Sequence, residues 1–282
     1  MRMSRKTTLG CASGQVLIIV AATAIVLVAP SFGYAIDFIQ GIDVYHGDGE
    51  VDWKTVKKNG IEFAFVKTTE GTNFVDKRFE ANMKGASAAE VLIGPYHFCR
   101  IDNDKDGKKF ENYDGSPFAP GSDRYDDAVA EAKAFLKVIM PYYQSGNYLP
   151  PVADVEGLPK FGDAKLEREF ISNWMQVFSD EMQKGLGARP IIYTSKSGAK
   201  TRYTPEIADS HELWLAYWKK SGTESPPTQD DTPGWKPWLF WQWSATGSVD
   251  GVPGSGKHHD CDKDVFRGTQ KELEALLIHR AS

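Results

Sequence analysis

Four acidic residues lie within or beside short apolar segments, where charge is uncommon. Asp43 lies inside one segment, Asp154 and Glu156 occupy positions i and i+2 of a second, and Asp262 begins a third. On a β-strand, side chains at i and i+2 point to the same face, about 7 Å apart along the chain. Clustered carboxylates raise one another's pKa, so one can stay protonated near neutral pH and act as a general acid. This chemistry is suited to cleaving a glycosidic bond.

Taken alone, each acid could instead have a structural role. It could be a helix cap, a turn residue or an ion-pair partner. The pair Asp154 and Glu156, which follows Pro-Pro-Val-Ala, is harder to explain in that way. Its alternation places two acids on the same inner face, where an unpaired charge is costly. The pair therefore favours a functional site.

Short apolar segments alternate with amphipathic helical patterns from residue 36 onward. Helices are predicted at 53–58, 76–89 and 126–139, and over the apolar stripe from Leu166 to Met182. Eight strands are predicted at residues 41–45, 61–66, 91–98, 151–156, 190–194, 212–217, 238–243 and 262–266. The first five are mostly followed by helices, which favours a single α/β domain with a β/α barrel over a doubly wound open sheet. In such a barrel, acids at the carboxyl ends of strands meet at one mouth.

Several aromatic residues fall at or near the predicted strand ends. Aromatic rings offer apolar platforms to sugar rings, although large aromatic residues also dominate protein cores. Both roles are open for the set, and Trp241 is taken as a substrate-binding candidate. The set comprises Tyr96, Tyr193, Trp214, Trp218, Trp241 and Trp243.

Nine short motifs, in a fixed order, resemble those of the glycoside hydrolase family 25 lysozymes, which are N-acetylmuramidases. The resemblance spans residues 41 to 266, nearly all of the chain after the amino-terminal segment. Each motif alone is weak, whereas the ordered series is specific. The motifs are Gly41-Ile-Asp-Val-Tyr-His46, Asp52-Trp53, Phe65-Val-Lys-Thr-Thr-Glu-Gly71, Asp76-Lys-Arg-Phe79, Gly94-Pro-Tyr-His-Phe98, Pro151-Val-Ala-Asp-Val-Glu156, Pro190-Ile-Ile-Tyr-Thr-Ser195, Leu213-Trp-Leu-Ala-Tyr217 and Phe240-Trp-Gln-Trp-Ser244.

The resemblance implies a flattened barrel of five β/α units and three closing strands. It also implies hydrolysis of the β-1,4 bond between N-acetylmuramic acid and N-acetylglucosamine in peptidoglycan, with no metal and no cofactor. The implied mechanism is substrate-assisted, an exception to the usual two-carboxylate scheme.

The resemblance also implies roles for particular residues. Glu156 would be the general acid and then the base, and Asp154 would orient the substrate's N-acetyl group. Asp43 and Asp262 would line the site, and Tyr96 would contact the reacting sugar. Glu70, Tyr193 and Gln242 are further implied site residues.

Three features depart from the family pattern. Tyr45 stands where a small Ser is usual, Asp264 stands where an Asn is usual, and residues 100–124 form a longer insertion. The insertion is polar and is expected to be a surface loop beside the cleft, so that deleting residues 104–120 should leave the fold intact. Residues 102–107 resemble the first half of a calcium loop, but its twelfth position is Tyr113 rather than Glu, so a polar turn is favoured over a calcium site.

Residues 1–35 have the pattern of a secretion signal. Arg2, Arg5 and Lys6 precede an apolar run at 16–28, and small residues end at Ala35. The run is short for a membrane span, so an uncleaved anchor through residues 16–28 is the alternative. The protein is thus expected to be exported, to the periplasm or beyond, where a Cys99–Cys261 disulfide is permitted beside the alternative of two buried thiols.

Composition narrows the remaining classes of function. The 282 residues are 41% hydrophobic and 25% charged, as in a packed globular protein. The net charge of −5 argues against binding nucleic acid, which requires a basic face. The expected partner is the peptidoglycan glycan strand, and the expected state is a monomer. Another N-acetylhexosamine-cleaving glycosidase and a non-catalytic wall-binding relative are the alternative functions.

Overall fold

A closed barrel of eight strands forms the centre of the protein. The structure is a computed structural model that describes residues 38–101, 109–110, 113–156, 158–255 and 260–278. The barrel strands are β1 (Ile39–Val44), β2 (Ile61–Glu70), β4 (Leu92–Phe98), β5 (Val152–Asp154), β6 (Ile191–Ser195), β7 (Leu213–Ala216), β8 (Phe240–Gly247) and β9 (Cys261–Phe266), and a short β3 (Phe74–Val75) pairs with β2. Because β1 pairs with β2 as well as with β9, the sheet closes. The predicted barrel is confirmed and the open sheet is wrong.

Seven of the barrel strands run parallel, and β9 alone runs in the opposite direction. It is antiparallel to both of its neighbours, β8 and β1. The first residues of β9 therefore lie at the same mouth as the last residues of the parallel strands. The sequence predicted this strand but not its direction.

Five β/α units are followed by three closing strands, as expected. The helices are α1 (Trp53–Lys58), α2 (Phe79–Ala88), α3 (Asp123–Ser145), α4 (Ala164–Leu186), α5 (Lys196–Thr201), α6 (Pro205–Ser210) and α7 (Gln270–Ala275). Asp52 caps α1 by accepting a hydrogen bond from the Thr55 amide at 3.2 Å, and Asp163 caps α4 in the same way. Gly187, with φ at +83°, ends α4 in the left-handed conformation.

Two hydrophobic layers follow from the alternation of side chains along the strands. Aromatic residues, including Phe63, Phe65 and Phe240, fill the barrel interior below the mouth formed by the carboxyl ends of the parallel strands. Leu273 of α7 packs against this inner layer. The other strand face packs against the helices, for example against Trp174 of α4. With the lower interior filled, space is left at the carboxyl ends of the parallel strands.

The described part of the insertion is anchored by aromatic contacts. Tyr113 is only 6% exposed, and its ring lies 5.2 Å from that of Phe170 on α4. The Phe118 ring lies 5.1 Å from the same Phe170 ring. This part of the segment is therefore packed onto α4. The calcium-like residues 102–107 lie outside the described residues.

Three other expectations concern the termini and the cysteines. The predicted secretion signal lies outside the described residues. Within the described part of the chain, no helix combines the length and apolar character needed to cross a membrane. Cys99 and Cys261 are both buried free thiols, so the disulfide alternative is not formed.

Candidate active site

A cavity of about 300 Å³ opens at the mouth of the barrel. It brings together all four acids singled out from the sequence, which come from three segments far apart in the chain. Among the other predicted site residues, Tyr96, Tyr193 and Gln242 also line it. The full lining is Asp43, Tyr45, Lys67, Tyr96, Phe98, Asp154, Glu156, Tyr193, Trp214, Gln242 and Asp262.

The strand registers explain how the acids meet. Asp43 is the penultimate residue of β1 and lies opposite Asp262, near the start of β9. Asp154 ends β5, paired with Phe98 of β4 and Tyr193 of β6. Glu156 follows two residues later, at the rim. The reversed direction of β9 brings Asp262 to this mouth.

A hydrogen-bond network fixes one side of the cavity. The Gln242 side-chain oxygen accepts hydrogen bonds from the Tyr193 hydroxyl and the Trp218 indole N–H, both at 2.9 Å. The Gln242 amide nitrogen then donates to Asp43 Oδ2 at 2.8 Å. Because the oxygen is occupied by two donors, the orientation of the amide follows from the network.

Burial and mutual repulsion shift the pKa values of these acids. Burial, followed by repulsion from neighbouring carboxylates, raises the pKa of Asp43 and of Asp154 well above its ordinary value. Burial also raises the pKa of Asp262, to about 7. Glu156 is exposed at the rim, yet desolvation by the surrounding walls raises its pKa as well. The cluster therefore retains protons near neutral pH, as a general acid requires.

Lys67 is the only cation among the described residues that line the cavity. Its Nζ lies 2.6 Å from Glu70 Oε2 and 4.7 Å from the centre of the Phe98 ring. Its charge lowers the pKa of Asp154 and of Glu156, against the larger effect of burial. Glu70 is thus placed behind Lys67 and is not itself part of the lining.

Trp241 does not reach the cavity. Adjacent residues on a strand point to opposite faces, so Gln242 and Trp241 of β8 cannot both point inward. Gln242 points inward, and Trp241 is fully buried in the outer layer, where its indole N–H donates to the Tyr217 carbonyl at 2.8 Å. The prediction of Trp241 as a substrate-binding residue neglected this alternation.

Lys67 and Phe98 are lining residues that the sequence argument did not select. Lys67 is in phase with Phe63 and Phe65 of β2, whose side chains fill the barrel interior. Strict counting of the alternation along β2 would have identified Lys67. Phe98, the last residue of β4, belongs to a quoted motif but was not assigned to the site.

A second cluster has side chains of the types that ligate metals. The ligand atoms of His97, Cys99 and Glu131 lie within 4.8 Å of one another, and all three residues are buried. The His97 nitrogens are occupied, with Nδ1 2.7 Å from Thr69 Oγ1 and Nε2 2.9 Å from Glu131 Oε2. The Arg100 amide also donates to Glu131. These contacts satisfy the polar groups as a structural network between β4 and α3.

Comparison with known proteins identifies similar chains. The model of the family described as "Glycosyl hydrolases family 25" matches residues 42–113 and 120–252. Lysozyme M1 of Streptomyces globisporus is 32% identical over 249 residues, covering 86% of this chain and 72% of that protein. An N,O-diacetylmuramidase of Arthroderma benhamiae is 28% identical over 243 residues, covering 84% and 85%. The crystal structure of a bacterial lysozyme from Streptomyces coelicolor aligns with a TM-score of 0.64 at 30% identity, covering 86% of this chain and 98% of that one.

Proposed function

Since this chain belongs to glycosyl hydrolase family 25 and is a glycoside hydrolase, we propose that it cleaves the β-1,4 bond between N-acetylmuramic acid and N-acetylglucosamine in peptidoglycan. One observation carries the proposal. Asp154 and Glu156 share one wall of the cavity, and the buried Oδ1 of Asp154 has no hydrogen-bond partner among the described residues. A buried acceptor without a donor is costly, so a donor supplied by the substrate would satisfy it.

The first chemical step uses both acids. Glu156 donates its proton to the glycosidic oxygen while the oxygen of the substrate's 2-acetamido group attacks the anomeric carbon. The C–O bond to the leaving sugar breaks, and a cyclic oxazolinium forms. Asp154 accepts a hydrogen bond from the acetamido N–H and holds the group in the geometry for attack.

Substrate binding also determines which acid holds the proton. Burial raises the pKa of Asp154 and of Glu156. An acetamido N–H at Asp154 Oδ1 would stabilise the charged form of Asp154 and lower its pKa. The proton then resides on Glu156, where the leaving group needs it.

The second step returns the protein to its starting state. Glu156, now a carboxylate, takes a proton from a water molecule, and the resulting oxygen nucleophile opens the oxazolinium at the anomeric carbon. The 2-acetamido group is restored, and the product keeps its anomeric configuration. One protein carboxyl therefore serves as acid and then as base.

Exposed aromatic residues flank the cavity and suit a polymeric glycan. Trp218, after β7, is 61% exposed while its N–H reaches the lining residue Gln242. On the β2–β3 hairpin, Phe74 is 38% exposed, and its ring centre lies 5.6 Å from the Nζ of the lining residue Lys67. A strand crossing the mouth would pass both rings, and stacking on the apolar faces of sugars explains why they are exposed.

Export is part of the proposal, because peptidoglycan lies outside the cytoplasm. Residues 1–35 would direct export, with the mature chain acting in the periplasm or beyond as a monomer. The names of the relatives agree with action on cell walls, as in the autolytic lysozyme of Clostridium acetobutylicum.

The alternative enzyme is a glycosidase acting on another N-acetylhexosamine polymer, and the alternative binding protein has no activity. One experiment distinguishes the proposed activity from these two alternatives. Purified peptidoglycan and purified chitin are each incubated with the wild type and with Glu156→Gln. The proposal predicts soluble fragments from peptidoglycan with the wild type alone. Release from chitin in preference to peptidoglycan favours the other glycosidase. Binding without release by either protein favours the inactive relative.

A further inference from the structure

Asp264 is a fifth acid beside the cavity that the proposed mechanism does not use. It lies on β9 two residues after Asp262, opposite Gly41 of β1 and Gln242 of β8. Its side chain is fully buried and shares a hydrogen bond with the carboxyl group of Asp43. Two carboxyl groups can share a hydrogen bond only if one of them holds a proton.

The partners of each oxygen limit where that proton lies. Asp264 Oδ1 accepts a hydrogen bond from the Trp214 indole N–H at 2.8 Å. Asp264 Oδ2 is buried, and no N–H or hydroxyl group of the described residues reaches it. It is therefore the acceptor open to a protonated neighbour, and Asp43 is the neighbour in contact.

A hydrogen bond from the Gln242 amide occupies one oxygen of Asp43 and leaves the other free to carry the proton. The orientation of the amide makes the NH₂ group a donor to Asp43 Oδ2. The other oxygen of Asp43 is then left for a proton that Asp264 can accept, and Asp262 also forms a hydrogen bond with the Asp43 carboxyl group.

Charge balance agrees with this arrangement. No lysine, arginine or histidine of the described chain forms an ion pair with Asp43, Asp262 or Asp264. Adjacent buried carboxylates without a cation do not both ionise.

We propose that Asp264 is a positioning residue, which accepts a hydrogen bond from a protonated Asp43 and so holds Asp43 neutral and fixed in the active site. The protonation state rests on the contacts and the burial of this cluster, whereas its consequence for catalysis rests on the proposed function. Asp43 then presents an oriented neutral group to the substrate, and the anionic charge of the cavity stays on the other acids.

The ionisable surroundings of Asp43 support protonation of Asp43 rather than Asp264. Burial raises the pKa of both, but the Trp214 N–H and the contact with Asp43 each lower that of Asp264. Asp43 also faces Asp262 directly. The other ionisable groups around it, within the described residues, are Asp48 and Cys261, Tyr96 of β4, Asp154 and Glu156 at the end of β5, Tyr193 of β6, and Lys67 of β2 as the single cation.

Carbon-13 NMR of protein labelled at the aspartate carboxyl carbons measures the protonation of Asp43 without any substrate. The Asp43 signal is assigned by its loss in Asp43→Asn. We expect it at the position of a protonated acid near pH 6, about two units above the ordinary aspartate pKa. An ionised Asp43 at that pH would overturn the proposal. Through-bond correlation to the assigned backbone identifies the same signal in uniformly labelled wild type, so the titration decides this point even if the variants are unstable. It is also independent of whether peptidoglycan is the substrate.

Asp264→Asn tests the positioning role. The new amide can donate to Asp43, so Asp43 should ionise near pH 6 and its NMR signal should move accordingly. With peptidoglycan, we expect kcat to fall about tenfold or more with little change in KM, because a mispositioned group affects the transition state most. The ionisation of Asp43 should also appear as an additional transition in the pH dependence of kcat. The exposed Asp209 of α6 provides the control Asp209→Asn. An unchanged Asp43 titration and pH profile in a folded Asp264→Asn protein would contradict the role.

Discussion

Asp43 and Asp262 face each other across the β1–β9 ladder, at the seam where the barrel closes. Like charges placed directly opposite on antiparallel strands destabilise a sheet. Here burial is the largest cause that raises the pKa of both acids, so that one of the pair can hold a proton, and a hydrogen bond with Asp43 lowers the pKa of Asp262 in part. The closing seam of the barrel therefore pairs two buried acids, a combination that folding alone would not favour.

This seam predicts a pH-dependent gain in stability for Asp262→Asn. The folded-state pKa of Asp262 is about 7, above the unfolded value of about 4. Its stabilising effect is complete below about pH 4 and is lost as the pH rises through 7. As the pH rises between these two values, the free energy of unfolding of the variant should increase relative to that of the wild type by about 2–4 kcal/mol. No further increase is expected at higher pH. Urea unfolding at several pH values measures this difference.

Asp231→Asn is the matched control for that experiment. Hydrogen bonding from Lys196 lowers the pKa of Asp231 to about 2. The stability that Asp231 contributes is present above about pH 4 and is lost only in stronger acid. The difference in the free energy of unfolding between Asp231→Asn and the wild type should not change between about pH 6 and 8. A pH-independent difference for Asp262→Asn as well would refute the electrostatic account of the seam.

Glu156→Gln should abolish most turnover while leaving the fold and wall binding intact. Proton transfer of this kind contributes about 10²–10⁴-fold, and the amide cannot supply it. Turbidity loss of a peptidoglycan suspension measures turnover, and co-sedimentation measures binding. The exposed Glu224 provides the control Glu224→Gln. Near-wild-type turnover of a folded Glu156→Gln protein would remove Glu156 from its role.

Asp154→Asn should reduce kcat more than affinity. Its proposed function is to position the acetamido group, which matters most in the transition state. In the complex, where the acetamido N–H holds Asp154 ionised, the variant should also lower the pKa of Glu156, because a like charge beside it is removed. The alkaline limb of the pH–rate profile should accordingly move to lower pH. Weaker binding with unchanged kcat would argue that Asp154 only contacts the ground state.

Trp218→Ala and Trp218→Phe separate stacking from hydrogen bonding. Loss of the exposed ring should weaken binding to the glycan by about three- to tenfold, equivalent to about 1 kcal/mol. Phenylalanine keeps a ring but loses the N–H that donates to Gln242. If stacking dominates, only the alanine variant should raise KM. Equal defects in both variants would assign the effect to the Gln242 network instead.

Removal of residues 104–120 should now be expected to destabilise the protein. Tyr113 and Phe118 of this segment cover Phe170 of α4, and their loss would expose an aromatic cluster. Tyr113→Ala alone should cost about 3 kcal/mol, as for other buried aromatic residues. Thermal unfolding measures both variants. A deletion variant as stable as wild type would restore the simpler view of a dispensable surface loop.

Much of the fold follows from local patterns that the sequence displays. Asp52, followed by a short helical pattern, predicts α1 with the observed bounds, because capping is a local interaction. The positions of the eight barrel strands follow from apolar segments bounded by turns. The direction of β9 does not, because pairing across the closing seam depends on contacts distant in sequence.

The site is predictable to the extent that its residues lie at strand ends. The four acids were identified because charge inside apolar segments is conspicuous. Trp241 was misplaced because a large aromatic residue suits either face of a strand, and only the register separates them. The packing of Tyr113 against Phe170 joins an irregular segment to α4, and no periodicity marks such a contact.

The reducing ends of the released fragments test the proposed bond specificity most directly. Purified peptidoglycan is digested to completion, the soluble fragments are reduced with borohydride, and their terminal sugars are identified by mass spectrometry. Cleavage of the β-1,4 bond on the muramic acid side predicts that every new end is N-acetylmuramitol, and that Glu156→Gln releases at most a small percentage of these ends in the same time. Ends of N-acetylglucosaminitol, or peptides freed from intact glycan, would contradict the account.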